Sequence, residues 1–144
     1  MNTAFNGKLE SVEWFLQNGA KPNFSFSKTG ENALHYTICK TSEIDQRTEI
    51  VKLLVDAGTD VNKKTIKGAV TLCFMRDAFL KAETPLHRAA AYGIEAIINL
   101  LLDAAAERSV KDANGDTPIS WGSWYLRDSN VLRLLVYNDA THIS

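Results

Sequence analysis

The sequence has few of the residues that would form disulfides, coordinate a metal or span a membrane. Its 144 residues include only two cysteines, and Cys39 and Cys73 have neither metal-ligand spacing nor a histidine at a fixed offset. No apolar run approaches about eighteen residues, and residues 1–15 lack the basic and apolar regions of a signal peptide. We therefore expect two reduced thiols, no metal, no membrane contact and a cytoplasmic location.

The sequence also lacks an excess of positive or negative charge. Sixteen Lys and Arg residues face seventeen Asp and Glu residues, for a formal net charge of −1, and no basic block is present. Nucleic acid is therefore not expected as a partner. The hydrophobic share of 45% is enough for one core, so residues 1–144 are predicted to form a single domain.

What the sequence does contain is an internal repeat. Residues 84–87 read Thr-Pro-Leu-His, and residues 117–120, 33 positions further on, read Thr-Pro-Ile-Ser. Residues 32–35 form a weaker copy, Asn-Ala-Leu-His. A period near 33 residues indicates stacked helix-turn-helix units.

A second signature accompanies the first. It is a short amphipathic segment, rich in Leu and Val, with Gly or a small residue near its end in most copies. Its four copies are residues 12–20, 51–58, 98–105 and 131–136. Four copies predict four units.

With this period and these two signatures, the chain resembles the ankyrin-repeat family over nearly its whole length. The resemblance implies an all-α fold, a solenoid of stacked helix-turn-helix units with turn fingers. The predicted repeats are residues 1–26, the first truncated, 27–64, 81–112 and 113–144, with an insertion at about 65–80.

The motif residues have physical roles in such a unit. Thr84 is predicted to be an N-cap, followed by Pro85 at the first helical position, where its missing N–H costs nothing. Ala89 and Ala90 allow close helix approach. Gly93 is expected to end the helix in the left-handed conformation, as Gly residues often do.

The insertion before the third repeat predicts an extended finger over residues 63–82. Its apolar residues are too many for a solvated linker. Residues 74–81 are predicted to form two helical turns that pack on the stack.

No catalytic apparatus is visible. His35 and His87 are interpreted as structural residues that bind the backbone of adjoining turns, as the family resemblance implies. Asp112 and Asp116 are interpreted as turn formers around Gly115. We therefore expect a protein that is not an enzyme and needs no cofactor.

The resemblance also implies which residues face a partner from the fingers and first helices. The predicted partner-binding residues are Phe5, Asn6, Lys28, Glu31, Lys81, Tyr92, Asn114, Asp116, Trp124 and Tyr125. For Trp124 and Tyr125 two interpretations stand: interface anchors, or aromatic side chains that cover the open end of the stack.

The predicted function is protein–protein interaction by a monomeric stand-alone adaptor or inhibitor. One alternative is a small-molecule or enzymatic site beside the inserted finger 63–82, using Cys73, Arg76 and Asp77. Another is that the chain is a fragment of a longer repeat array.

Overall fold

The structure is a computed structural model that describes residues 16–39, 46–71 and 79–137. These residues form helices joined by turns, with two isolated β-bridges and no sheet among them. The helices are α1 (Ala33–Thr37), α2 (Arg47–Asp56), α3 (Pro85–Tyr92), α4 (Glu95–Asp103), α5 (Pro118–Trp124) and α6 (Ser129–Leu135). The predicted all-α fold is confirmed.

The helices stack in two layers. Helices α1, α3 and α5 contact one another in series, and α2, α4 and α6 form a second series behind them. One helix pair lies within each of the predicted repeats 27–64, 81–112 and 113–144, whereas residues 1–15 of the predicted first repeat lie outside the described residues.

A continuous apolar core fills the space between the layers. Leu86, Ala89, Ile98 and Leu101 have no exposed surface and belong to the same buried cluster as Leu135 of α6. Each helix is too short to be stable alone, so burial against neighbouring repeats stabilises it.

The helix that carries the strongest motif begins as predicted. Thr84 accepts a hydrogen bond from the N–H of His87 through its side chain, and Pro85 occupies the first helical position. In α1, Asn32 caps the helix in the same manner. These caps satisfy N–H groups that a five- or eight-residue helix would otherwise leave unpaired.

Gly93 ends α3 as predicted, but not because it adopts a left-handed conformation. Its φ is −82°, so the residue is not left-handed. A Cβ at this position would lie 2.9 Å from the carbonyl oxygen of Ala89, and glycine is needed for space. Left-handed residues follow the second helices: Gly58 comes after α2, with φ of 94°, and Ala105 comes after α4, with φ of 72°.

The described part of the insertion is an extended excursion. The N–H of Gly68 donates to the carbonyl of Leu80 at 2.8 Å, the N–H of Leu80 donates to Ala69 at 2.8 Å, and Val70 bridges Phe79. The prediction of a helix is therefore wrong for residues 79–81, because the backbone N–H and carbonyl of Leu80 pair with Ala69 and Gly68 of the same chain. Residues 74–78 lie outside the described part.

No helix in the described part of the chain is both long and apolar enough to cross a bilayer.

Candidate partner-binding site

The two motif histidines link successive repeats. The backbone N–H of Thr84 donates to Nδ1 of His87 at 3.1 Å, which leaves the proton on Nε2, and Nε2 donates to the carbonyl of Asp116 at 2.9 Å. His35 repeats the arrangement, with Nε2 3.3 Å from the carbonyl of Glu83. The predicted structural role of both histidines is confirmed.

Burial sets the charge state of these rings. Burial, assisted by the nearby Arg88 guanidinium, lowers the pKa of His35 to about 3. Burial likewise lowers the pKa of His87. Both imidazoles are therefore neutral at pH 7, as their bonding to backbone requires.

A buried ion cluster joins the second and third repeats. The Arg88 side chain is fully buried; its Nη2 lies 2.6 Å from Glu31 and 3.1 Å from Glu83, and its Nη1 donates to the carbonyl of His35 at 3.0 Å. The hydroxyls of Thr65 and Thr71 donate to Glu83 and Glu31, at 2.7 and 2.8 Å. We call these five side chains, Glu31, Thr65, Thr71, Glu83 and Arg88, the buried junction.

The buried junction overturns one predicted site residue. Glu31 was expected to face a partner, but its side chain has no exposed surface. The carboxylate is turned inward by the guanidinium of Arg88 and the hydroxyl of Thr71. Glu31 holds repeats together and is not part of a binding surface.

Glu83 is stabilised as an anion. Burial alone would raise its pKa, but the Arg88 guanidinium and hydrogen bonds from Thr65 and the N–H of Lys81 outweigh that effect and lower the pKa to about 2. Glu83 is therefore ionised at neutral pH.

An open pocket lies between the last finger and α5, and we call it the C-terminal pocket. Its lining combines carboxylates, one lysine and three large aromatic rings. The lining residues are Lys81, Asp112, Asn114, Asp116, Ser120, Trp121, Trp124 and Tyr125.

Asp112 shapes the finger that forms one wall. Its Oδ1 accepts the N–H groups of Asn114 and Asp116, each at 2.9 Å, and its Oδ2 accepts Nε1–H of Trp121 at 3.0 Å. The turn-forming role expected of this residue is confirmed. Asp116, whose N–H is held in this way, is itself one of the residues that line the pocket.

The aromatic residues in and beside the C-terminal pocket differ in solvent exposure. Trp121 is 8% exposed and stacks on Tyr125 at 6.5 Å, and the hydroxyl of Tyr92 donates to that of Tyr125 at 2.9 Å. Trp124 is 65% exposed. Of the two interpretations given for these aromatics, packing therefore describes Tyr125 in part, whereas Trp124 presents most of its surface to solvent.

Five of the predicted site residues meet in the C-terminal pocket: Lys81, Asn114, Asp116, Trp124 and Tyr125. Tyr92 adjoins it through Tyr125. Lys28 is exposed on a separate turn, and Phe5 and Asn6 lie outside the described residues.

Sequence reasoning missed the pocket roles of Asp112, Ser120 and Trp121. The spacing of Asp112 four residues before Asp116 was a usable signal, because a carboxylate at the start of a tight turn commonly accepts the N–H groups within it. No such signal pairs Asp112 with Trp121, since their contact depends on how α5 lies against the finger.

The alternative site beside the insertion rests on Cys73, Arg76 and Asp77, which lie outside the described residues. Within residues 16–39, 46–71 and 79–137, no group of three or more His, Cys, Asp or Glu residues could hold a metal ion.

Paired helices in two layers, joined by fingers and linked through histidines, define a helical repeat protein whose accessible site lies at a finger and a first helix. The family described as ankyrin repeats in three copies matches residues 1–65, and the single ankyrin repeat matches residues 83–113. The chain belongs to the ankyrin-repeat family. The unmatched residues between the two segments include most of the insertion.

Similar proteins are much longer. The chain is 27% identical over 107 residues to the E3 ubiquitin-protein ligase KEG of Arabidopsis thaliana, covering 74% of this chain and 5% of that protein. It is 26% identical over 133 residues to SH3 and multiple ankyrin repeat domains protein 2 of Homo sapiens, covering 92% and 6%. It is 30% identical over 109 residues to protein phosphatase 1 regulatory subunit 12A of Mus musculus, covering 76% and 9%. The chain thus spans less than a tenth of each of these three relatives. Ankyrin repeats are in general protein–protein interaction modules and are typically non-enzymatic.

Proposed function

We propose that the chain is an adaptor or inhibitor that binds one partner protein through its fingers and first helices, with the C-terminal pocket as the principal contact. The observation that carries the proposal is the 65% exposure of Trp124 beside carboxylate and aromatic side chains in one pocket. Tryptophan at an open pocket is typical of interface anchors.

The surroundings of Trp124 support this interpretation. Trp121, Tyr125 and Tyr92 are fixed to one another and to the finger by ring contacts and hydrogen bonds. These fixed rings and the exposed indole of Trp124 provide apolar contact area, and the polar residues Asn114 and Asp116 orient a bound partner through hydrogen bonds.

Further exposed apolar side chains extend the surface available to a partner. Phe24 is 54% exposed, and Val70 and Phe79 of the insertion are each 60% exposed. The insertion is tied to the preceding turn, because the N–H of Ile66 donates to the carbonyl of Thr29 at 2.8 Å. A partner that contacted both the pocket and the insertion would bury more area than the pocket alone offers.

We also propose that this interaction takes place in the cytoplasm. Only two of the 144 residues are cysteines, which fits a reducing compartment.

The experiment compares proteins captured from native lysate by the wild-type chain and by two variants, Trp124→Ala and Ile94→Ala. Ile94 is 49% exposed and precedes α4 on the loop between the layers, so it is a matched apolar control. A true partner should bind the wild type and Ile94→Ala alike and bind Trp124→Ala about tenfold or more weakly. Equal capture by all three folded proteins would reject the proposed site.

A further inference from the structure

Three repeats carry an acidic residue at one motif position, immediately before the N-cap of the first helix. The three residues are Glu31, Glu83 and Asp116, followed by Asn32, Thr84 and Thr117. The fold therefore places the same functional group at the same point of each finger, and the environments of the three carboxylates can be compared directly.

At the first two positions the carboxylate binds a guanidinium. Arg88 lies five residues after Glu83 and binds it through Nε and Nη2, at 3.2 and 3.1 Å. The same Nη2 binds Glu31 of the preceding repeat at 2.6 Å. One arginine thus bonds to the carboxylate of its own repeat and to that of the repeat before it.

At the third position the guanidinium is missing. Trp121 stands five residues after Asp116, where Arg88 stands relative to Glu83, and its Nε1–H is directed to Asp112 instead. Among the described residues the structure shows no hydrogen bond or ion pair at the Asp116 carboxylate, although its backbone is bonded on both sides. Asp116 is half-buried and lines the pocket that Trp124 borders.

We infer that the C-terminal pocket binds an arginine side chain of the partner, whose guanidinium takes the place at Asp116 that Arg88 occupies at Glu31 and Glu83. This inference rests on the proposed function. The planar guanidinium fits the site in two ways, because it can pair with a carboxylate through two N–H groups and stack on the exposed indole of Trp124.

Charge in the pocket favours the same occupant. Asp112 and Asp116 are opposed by one lysine, Lys81, so the lining carries one net negative charge. The Asp112 oxygens are occupied by Asn114, Asp116 and Trp121, which leaves Asp116 as the acceptor for a ligand. An acidic or purely apolar ligand would leave that carboxylate without a counter-charge.

The test begins with a random-peptide display library selected on the full chain and counter-selected on a folded Trp124→Ala variant. Peptides that require Trp124 should contain an arginine. Replacing that arginine with citrulline, which keeps the shape and removes the charge, should weaken binding about tenfold or more, measured by fluorescence anisotropy. Lysine in its place should bind less tightly than arginine, because it cannot form the forked pair.

A double-mutant cycle then separates direct contact from structure. Asp116→Asn should weaken the arginine peptide about tenfold but leave the citrulline peptide unchanged, whereas Asp103→Asn, on the exposed end of α4, should affect neither. Equal binding of arginine and citrulline peptides, or no arginine in peptides that require Trp124, would overturn the inference and leave the partner-binding proposal standing. If no selected peptide depended on Trp124, both would fail.

Discussion

The buried junction and the C-terminal pocket both contain an acidic residue at the same motif position, but the residue has a different role in each. At the junction, two carboxylates and Arg88 are fully buried, and the guanidinium faces both acids. At the pocket, the equivalent Asp116 has no such cation, and the aromatic residue at the arginine position supports an open surface. The repeat thus sets where a carboxylate lies, while the presence of a guanidinium from the same or the following repeat decides whether that carboxylate holds the stack together or faces a ligand.

The largest expected effect is the loss of the junction cation. Arg88→Met should lower the free energy of unfolding by about 3–5 kcal/mol, because it leaves two buried carboxylates without a counter-charge. Urea denaturation measures the change, with Arg133→Met on the exposed side of α6 as the control. Adding Glu31→Gln and Glu83→Gln to the Arg88 variant should recover part of the loss. A small effect of Arg88→Met alone would contradict the junction as described.

The second prediction concerns acid. The pKa of His35 is about 3 in the folded chain and near 6.5 when unfolded, so the unfolded chain binds more protons between these values and stability falls as the pH drops below about 6.5. His87, whose pKa is also lowered, acts in the same direction. Glu83, with a folded pKa of about 2 against an ordinary value of 4.5, adds stability above pH 4.5 that is lost towards pH 2.

Thermal unfolding across this pH range checks the prediction. The melting temperature should fall continuously from about pH 6.5 downward, and more steeply below about pH 4.5, where Glu83 of the unfolded chain takes up a proton. A constant melting temperature from pH 7 to pH 4 would show that the two histidines are not neutral and buried as the structure has them.

The third prediction separates two neighbouring tryptophans. Trp121→Phe should cost about 1–3 kcal/mol, because it removes the donor to Asp112 and leaves a buried carboxylate oxygen unpaired. Trp124→Phe should change stability by less than about 0.5 kcal/mol, since the ring is mostly exposed. Chemical denaturation of the two matched variants gives the answer. Equal losses would place Trp124 in the packing of the stack and remove it from the proposed binding surface.

The last prediction concerns a small gain in stability at Ala105, two residues after the end of α4. Ala105 has a φ of 72°, where an L-residue is strained, and the equivalent position in the preceding repeat is Gly58. Ala105→Gly should therefore raise the free energy of unfolding by about 0.5–1 kcal/mol, since relief of strain exceeds the added entropy of the unfolded chain. Ala104→Gly, next to it at φ −91°, should destabilise instead and serves as the control.

The fold was largely predictable from sequence, because its determinants are local. Thr84, Pro85 and His87 lie within four residues, and their capping follows from side-chain chemistry and helix geometry. The register of the stack followed from the 33-residue period. Residues 79–81 could not be predicted from their own apolar content, since their extended form depends on pairing with residues 68–70.

The candidate site was predictable only in part. The repeat correctly brought Asp116, Trp124 and Tyr125 to one place, because equivalent positions share a face. The same rule was wrong for Glu31, since its environment depends on Arg88, 57 residues away in sequence. Burial of a charged group is set by long-range contacts that no local pattern records.

The backbone bonding of Asp116 has a consequence for binding kinetics. His87 holds its carbonyl, and Asp112 holds its N–H, so the finger that presents the carboxylate is already fixed before a ligand arrives. A preorganised site loses little conformational entropy on association. Binding should therefore proceed as a single bimolecular step without a slow rearrangement, and variants of the ligand should differ mainly in how fast they leave.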